Sequence, residues 1–250
     1  MIMLLDIGNT RVKWARLEGG KLTGQGAASH LEQDVEAVLR PVFDGVAPTR
    51  VLASNVAGPL IAVALSELCS KRYDLRPEFL IPAPETCGVK SGYTDPARLG
   101  ADRWAAVIGA FHAVGGPACV IDAGTAITVD AVDKSGQHLG GLIAPGPQTM
   151  RRALAGATAS LRDNGEGEFG LFCHETRSAI ASGGWHTAAG LLERMHTLMS
   201  KELGPDTRFL LTGGDAARLD ELVPGRYTLV PDLVLQGLAV VAPTLAEAKP

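Results

Sequence analysis

The chain has 250 residues, of which 46% are hydrophobic, and this is enough for a substantial buried core and excludes disorder as its main state. Its 23 basic and 27 acidic side chains give a net charge of -4, so the basic excess of a nucleic-acid-binding protein is missing. The length predicts one large or two modest domains. Thirty glycines and few aromatic residues favour an α/β enzyme with tight turns.

In chain order, apolar periodicity predicts strands near 2–6 and 11–17, a helix near 31–40, a strand near 50–53, a helix near 59–71, a strand near 78–81 and a helix near 98–114. The second half continues with strands near 118–122, 126–132 and 140–143, helices near 147–157 and 175–200, a strand near 208–212, an amphipathic helix, a strand near 227–230 and a final helix from Leu233. We expect that final helix to pack back on the body of the protein.

The cysteines and the N-terminus favour a cytoplasmic protein. The cysteine spacing matches neither a CxxC redox pair nor a zinc cluster, so we expect four buried, reduced thiols. The chain reaches Asp6 before any apolar stretch long enough for a signal peptide. Residues 104–121 carry no Lys, Arg, Asp or Glu, but Gly115-Gly116-Pro117 interrupts them, which predicts a helix, a turn and a strand rather than a membrane span.

One segment near the start is repeated in the middle of the chain. MIMLLDIGNTRVKWARL resembles ACVIDAGTAITVDAV, with Asp6 matching Asp122 and Gly8 matching Gly124 at an offset of 116 residues. Each copy is an apolar strand, an aspartate, a small turn and a second strand. The repeat predicts two related domains, 1–116 and 117–250.

The first turn, Asp6-Ile7-Gly8-Asn9-Thr10, could hold phosphate oxygens, because such turns present backbone N–H groups in one concavity. Asp6 could hold Mg²⁺ through water, and Lys13 could reach a phosphate. The alternative is an ordinary hairpin turn in which Asp6 bonds its own loop. The matching turn from Asp122 to Ala126 favours the functional interpretation, since two such turns face to face would bind a polyphosphate from both sides.

A third turn, Thr212-Gly213-Gly214-Asp215, opens a helix, and its glycines would let a flat ring or a ribose phosphate approach the backbone. The alternative is a glycine turn with Asp215 as the helix N-cap.

Strand-DIGNT, strand-DAGTA and a late TGGDA, in this order, resemble the acetate and sugar kinase/Hsp70/actin superfamily. With Gly100-Ala101-Asp102-Arg103, and with agreement along nearly the whole chain, the sequence resembles the type III pantothenate kinases. The resemblance implies an α/β fold of two duplicated actin-like (ribonuclease H-like) domains. It also implies a homodimer that uses ATP to phosphorylate pantothenate, the first step of coenzyme A biosynthesis, with pantothenate bound near or across the interface.

The pair Asp102 and Arg103 is also informative by itself. An acid is favourable in the first turn of a helix, whereas Arg103 opposes the helix dipole and is better explained by an anion. Pantothenate carries a carboxylate and a hydroxyl, which would complement an Arg donor and an Asp acceptor. The alternative is a surface pair beside a buried, alanine-rich helix.

The family resemblance implies a role for each site residue. Asp102 would be the general base, and Gly100, Ala101, Asp102 and Arg103 would line the pantothenate pocket with Tyr93 and Thr176. ATP and Mg²⁺ would contact Asp6, Ile7, Gly8, Asn9, Thr10, Arg11, Val12 and Lys13. Thr125 would also bind ATP, and Asp122 would hold a monovalent cation, K⁺ or NH₄⁺. Glu175 departs from the family, because relatives often have Asn before the threonine.

Two rival functions stay open at this point. One is another small-molecule kinase or ATPase of the same superfamily. The other is a regulatory protein like the Bvg accessory factor, which belongs to the same group and would act through protein partners. The intact set of Asp6, Asp102, Arg103 and Asp122 argues against a decayed catalytic site.

Overall fold

The computed structural model describes residues 1–29, 35–157 and 167–247, which form two compact units. The first unit comprises Met1–Gly115, Gly136–His138 and Asp232–Pro250. The second unit comprises Gly116–Ser135 and Leu139–Pro231.

The first unit contains a five-stranded sheet in the order β3-β2-β1-β4-β5. Its strands are β1 (Ile2–Ile7), β2 (Arg11–Glu18), β3 (Lys21–Ser29), β4 (Arg50–Asn55) and β5 (Glu78–Phe79). The first three are antiparallel neighbours, and β4 runs parallel to β1 and to β5. The helices α1 (Val35–Val42) and α2 (Pro59–Tyr73) pack on one face, where Met3, Leu5 and Ile7 are buried.

A small hairpin and a helix complete this part of the chain. The hairpin is formed by β6 (Glu85–Thr86) and β7 (Val89–Lys90). A 3-10 turn at Pro96–Arg98 then leads into α3 (Ala101–Val114), in which Trp104 is fully buried. Tyr93, which is predicted to bind substrate, lies between the hairpin and α3, and Gly100–Arg103 lie at the start of α3.

The second unit repeats the strand order of the first, as β10-β9-β8-β11-β12. Its strands are β8 (Ala118–Ala123), β9 (Ala126–Val132), β10 (His138–Pro145), β11 (Arg208–Thr212) and β12 (Thr228–Leu229), and its helices are α4 (Pro147–Ala157), α5 (Thr176–Leu203) and α6 (Ala216–Leu222). Ile121, Ile127 and Leu192 are in its hydrophobic core. The predicted duplication of an apolar strand, an acidic residue and a turn is therefore also a duplication of sheet topology.

The last helix, α7 (Leu233–Glu247), belongs to the first unit and packs against α3. The two helices meet at glycines. A Cβ atom on Gly109 would lie 2.8 Å from the carbonyl oxygen of Leu233, and a Cβ atom on Gly237 would overlap the carbonyl oxygen of Ala105. Backbone contact at this crossing therefore excludes larger side chains at both positions.

Most predicted elements are confirmed within one to three residues, and three strands are additional. The elements not predicted are β3, β6 and β7. Residues 31–34 of the helix predicted near 31–40 lie outside the described residues. Across residues 1–29, 35–157 and 167–247, none of the helices has both the length and the apolar character needed to cross a bilayer.

The cysteine prediction is confirmed for two of the four thiols. All four cysteines are free, and Cys69 and Cys119 are buried, but Cys87 and Cys173 are only half-buried. Burial raises the pKa of Cys69 to about 11 and that of Cys119 to about 12.

Candidate active site

The first turn connects β1 to β2 at one end of the first sheet. The backbone N–H of Gly8 donates to the carbonyl oxygen of Arg11 at 3.0 Å. Asp6, which is 8% exposed, lies opposite Lys13 on β2 and Ser54 on β4. Because paired residues project from the same face of a sheet, a carboxylate, an ammonium group and a hydroxyl group share this face.

Ser54 had no signal in the sequence analysis. Its side chain is fully buried, and its hydroxyl group has no hydrogen-bond partner among the described residues. Ser54 is the neighbour of Asp6 only because β4 pairs in parallel with β1. This pairing between distant residues cannot be predicted from local sequence patterns.

The second turn connects β8 to β9 at the corresponding end of the second sheet. The N–H of Gly124 donates to the carbonyl oxygen of Ala126 at 3.0 Å. Asp122 lies opposite Thr128 on β9 and Thr212 on β11, so hydroxyl groups flank this carboxylate on both sides. Both strand partners of Asp122 thus carry a hydroxyl group, and that of Thr212 donates to the carbonyl oxygen of Pro231 at 3.2 Å.

Thr125 is exposed at the tip of this turn, and its backbone is held by the start of α4. Its carbonyl oxygen accepts hydrogen bonds from the N–H of Gly146 at 3.0 Å and from the hydroxyl of Thr149 at 2.6 Å. A Cβ atom on Gly146 would overlap the carbonyl oxygen of Gly124. The segment before α4 therefore positions the turn that was predicted to bind ATP.

The third turn packs directly against the second. Gly213 has a φ angle of +103°, and a Cβ atom there would lie 2.5 Å from Oδ1 of Asp122. The N–H of Asp215 donates to the carbonyl oxygen of Ala123 at 2.9 Å. Asp215 occupies the N-cap position of α6, but its side chain makes no capping hydrogen bond. The structure thus brings the DAGTA and TGGDA motifs together.

In the first unit, Asp102 lies in the first turn of α3 with its carboxylate folded back over the helix N-terminus. Its Oδ1 atom accepts a hydrogen bond from the N–H of Arg103 at 2.7 Å. A Cβ atom on Gly100, the N-cap residue, would lie 2.5 Å from the same Oδ1 atom. Gly100 therefore leaves the space that this carboxylate occupies, and a larger residue would displace it.

Arg103 points inward and contacts Tyr93. Its side chain is only 7% exposed, so the alternative of a surface pair is wrong for this residue. Its Nη1 atom donates to the Tyr93 hydroxyl at 2.7 Å, and its guanidinium carbon lies 5.6 Å from the Tyr93 ring centroid. A buried, hydrogen-bonded guanidinium beside an aspartate is suited to recognising an anion.

Tyr93 and Arg103 lie close to two further aromatic residues. The imidazole of His138 is fully buried, and it stacks on the Tyr93 ring at 6.0 Å with an interplanar angle of 17°. It also meets the Trp104 ring edge-on at 6.1 Å. The Trp104 indole N–H donates to the Thr86 hydroxyl at 3.2 Å.

Thr176 is the first residue of α5 and is exposed in the second unit, whereas Tyr93 and Gly100–Arg103 are in the first. Its neighbours Glu175 and Arg177 form an exposed ion pair at 3.7 Å. The substrate role of Thr176 stays a prediction. Among the described residues, no group of three or more His, Cys, Asp or Glu side chains could hold a metal ion.

Comparisons with known proteins agree with these motifs. A family model described as type III pantothenate kinase matches residues 2–197. The chain is 36% identical to a type III pantothenate kinase from Nitrosococcus oceani, covering 100% of this chain and 96% of the relative. It is 42% identical to one from Aromatoleum aromaticum, covering 97% of this chain and 98% of the relative.

Two solved structures share the fold at low sequence identity. A Baf family transcriptional activator from Campylobacter jejuni has a TM-score of 0.58 at 20% identity, covering 98% of this chain and 99% of that one. A polyphosphate/ATP-glucomannokinase from Arthrobacter sp. has a TM-score of 0.50 at 18% identity, covering 97% and 98%. The α/β fold predicted from the motif order, that of the sugar kinase and actin superfamily, is confirmed.

Proposed function

The chain belongs to the type III pantothenate kinase family, and we propose that it transfers the γ-phosphoryl group of ATP to the 4′-hydroxyl of pantothenate. This is the first step of coenzyme A biosynthesis. The observation that carries the proposal is the carboxylate of Asp102, held in the space left by Gly100 and adjacent to the buried Arg103.

Asp102 would orient the pantothenate hydroxyl and accept its proton late in the reaction. Phosphoryl transfer has a loose transition state, so alignment and charge neutralisation contribute more than a strong base. A carboxylate of ordinary basicity is sufficient for this role. The helix N-terminus beneath Asp102 also favours negative charge at this position.

Arg103 and Tyr93 would bind the pantothenate carboxylate. Because the Tyr93 oxygen accepts a hydrogen bond from Arg103, the Tyr93 hydroxyl hydrogen is available for an acceptor on the substrate. Arg103 also supplies a positive charge that is largely removed from solvent. Gly100 and Ala101 would form the wall of this pocket, and Thr176 is proposed to contribute to it.

The turn from Asp6 to Lys13 would bind the phosphates of ATP, with Thr125 adding contacts. A carboxylate oxygen is a hard ligand of the kind that Mg²⁺ prefers, and Mg²⁺ is commonly held by one or two carboxylates together with water and phosphates. Asp6 would therefore hold Mg²⁺ through water. When bound, Mg²⁺ neutralises charge on the β- and γ-phosphates.

Asp122 would hold a monovalent cation, K⁺ or NH₄⁺. The neighbours Thr128 and Thr212 are compatible with such an ion, because each of these strand partners of Asp122 carries a hydroxyl oxygen. The cation would balance phosphate charge in the second unit.

We further propose a homodimer and two domains, 1–116 and 117–250, in a cytoplasmic enzyme. The edge strand β10 exposes Leu142 and Ile143, at 46% and 66%, which supports association with a second copy. The repeated strand order supports this division, although residues 136–138 and α7 group with the first unit.

The test is a coupled kinase assay with Mg-ATP and pantothenate, with sugars and acetate as alternative acceptors. We expect phosphorylation of pantothenate alone. In Asp102→Asn, kcat should fall by about 10²–10⁴-fold, as expected for loss of a general base, while ATP binding is retained. Asp44→Asn, at an exposed aspartate paired with Arg72, is the matched control and should retain wild-type turnover.

Normal turnover in Asp102→Asn would contradict the assigned base. Phosphorylation of a sugar or acetate instead would favour another kinase of the superfamily. A folded protein inactive with every acceptor would favour the regulatory alternative.

A further inference from the structure

We propose that His138 is a positioning residue of the pantothenate pocket and that it acts through Tyr93. The inference rests on the proposed function, which places Tyr93 and Arg103 against the substrate. His138 itself would not contact pantothenate, since its side chain is fully buried.

Hydrogen bonds around Ser91 hold the main chain of the loop that carries Tyr93. Ser91 donates its N–H to the carbonyl oxygen of Pro84 at 2.9 Å and accepts the N–H of Tyr93 on its hydroxyl at 3.2 Å. The following residues Thr94 and Asp95 are exposed. These backbone hydrogen bonds fix the main chain and leave the direction of the Tyr93 ring to its side-chain neighbours.

Two neighbours hold the ring in place. Arg103 reaches the Tyr93 hydroxyl at 2.7 Å, and the imidazole of His138 lies nearly parallel to the ring at 17°. Aromatic pairs at such centroid distances favour offset stacking. Without the imidazole, the Tyr93 ring would gain space to tilt, and the hydrogen bond to Arg103 would lengthen or break.

His138 is itself rigidly fixed. Its other side meets Trp104, whose indole N–H donates to Thr86. The preceding residues are held by the β6–β7 hairpin, because Lys90 donates its N–H to the carbonyl oxygen of Gly136 at 2.9 Å. Gly136 has a φ angle of +83°, and a Cβ atom there would overlap the carbonyl oxygen of Gly88. The imidazole is therefore a fixed support for Tyr93.

This arrangement predicts an effect on substrate affinity rather than on the chemical step. Asp102, the proposed base, is positioned by Gly100 and by the N–H of Arg103, neither of which depends on His138. Loss of the imidazole should therefore raise KM for pantothenate and leave kcat nearly unchanged.

The main test is a double-mutant cycle between His138 and Tyr93. His138→Ala should raise KM for pantothenate about fivefold to tenfold, in the upper part of the range expected for one aromatic pair, with KM for ATP changed less than twofold. In the Tyr93→Ala background, His138→Ala should add no further increase. His196→Ala is the matched control, because His196 also packs against an aromatic ring, Phe209 at 4.3 Å, but lies in the second unit.

Two variants of similar bulk keep the test decisive if the alanine variant folds poorly. His138→Phe retains a flat ring and should keep KM within about threefold of wild type. His138→Leu lacks a ring and should show the raised KM. The proposal would be overturned if His138→Ala lowered kcat at constant KM. It would also be overturned if His138→Ala raised KM by the same factor in the Tyr93→Ala background as in the wild type.

A spectroscopic measurement separates this proposal from the proposed function. The chain has three tyrosines, so 3-fluorotyrosine labelling gives three ¹⁹F resonances that Tyr→Phe variants assign. His138→Leu should shift or broaden the Tyr93 resonance and leave those of Tyr73 and Tyr227 in place. An unchanged Tyr93 resonance would refute positioning, whereas an inactive wild type with a shifted Tyr93 resonance in the variant would refute only the proposed function.

Discussion

The two sheets have the same strand order, but the turns that follow β1 and β8, the strands that carry Asp6 and Asp122, differ. The first turn has three residues between strands, Gly8–Thr10, and Lys13 faces Asp6 across the hairpin. The second has two, and Thr128 takes the position opposite Asp122. The duplicated backbone therefore places a lysine opposite the aspartate of the first unit and a threonine opposite the aspartate of the second.

Under the proposed function, this difference would let the two turns bind different kinds of cation. An ammonium group opposite Asp6 repels a directly coordinated metal, so a divalent ion there depends on phosphates and water. The strand partners of Asp122 are threonines, which carry no positive charge, so a weakly hydrated monovalent ion would fit there under the proposed function. We therefore propose separate roles for the two aspartates.

The largest expected effect comes from removing each carboxylate in turn. Asp6→Asn should lower kcat/KM for ATP by about 10²–10³-fold, as for other charge-stabilising groups, and should keep the preference for K⁺ or NH₄⁺ over Na⁺. Asp122→Asn should abolish that preference. Assays of both variants in the three salts check the assignment, and activity of the wild type that is independent of the monovalent cation would refute it.

A charge introduced into the second turn tests the same comparison from the opposite side. Thr128→Lys copies the first turn by placing an ammonium group opposite Asp122. We expect the tethered charge to replace the cation, so that activity in Na⁺ approaches that in K⁺. An unchanged response to K⁺ would show that position 128 does not adjoin the cation.

Gly8 of the first turn and Gly146, which packs against the second turn, should respond differently to alanine. A Cβ atom on Gly146 overlaps the carbonyl oxygen of Gly124, so Gly146→Ala should lower the free energy of unfolding by about 1–3 kcal/mol. A Cβ atom on Gly8 meets only the Arg11 carbonyl oxygen at 3.5 Å, so Gly8→Ala should keep wild-type stability. Its KM for ATP should rise about tenfold if phosphate approaches this backbone closely. Denaturant unfolding and ATP kinetics separate the two outcomes.

The smallest effect concerns one buried thiol in each unit. The pKa of Cys69 is raised by burial from 9.0 to about 11, and that of Cys119 from 9.0 to about 12, so both stay protonated in the folded protein at pH 8. A thiol reagent at pH 8 should modify Cys87 and Cys173 first. The stabilisation from the two buried thiols is complete below pH 9 and is lost as the pH rises through 11 and 12.

Replacement of both buried cysteines by alanine should therefore flatten the decline in Tm above pH 9. Equal modification rates for all four thiols in the folded protein would contradict the burial of Cys69 and Cys119.

Elements with a local signal were predictable from the sequence. An apolar run followed by Asp and Gly identified both β1 and β8, and apolar periodicity identified the long helices. Strand β3 was missed because it contains Gly24 and Gly26. A Cβ atom on Gly24 would lie 2.6 Å from the Arg16 guanidinium, and one on Gly26 would lie 2.8 Å from the Trp14 indole nitrogen. Side chains of β2 occupy the space beside these two glycines, and pairing with β2 forms the strand despite its low strand propensity.

The site residues also divide into those with a signal in the local sequence and those without one. Asp102 and Arg103 were found through the family resemblance, and also because an arginine in the first turn of a helix is unfavourable without an anion. Ser54 and His138 had no local signal. Ser54 gains its position from a parallel register with β1, and His138 from a contact with Tyr93 that spans 45 residues. Both depend on long-range pairing, which periodicity and motif spacing do not encode.

The close contact of α3 and α7 at Gly109 and Gly237 affects the order in which the two units can fold during synthesis of the chain. Ribosomes make the N-terminus first, yet the partner surface of Gly109 is supplied by residues from Leu233 onward. A nascent chain can complete the hydrophobic core of the second unit before α7 emerges. The unit that is translated first is therefore the last to be finished.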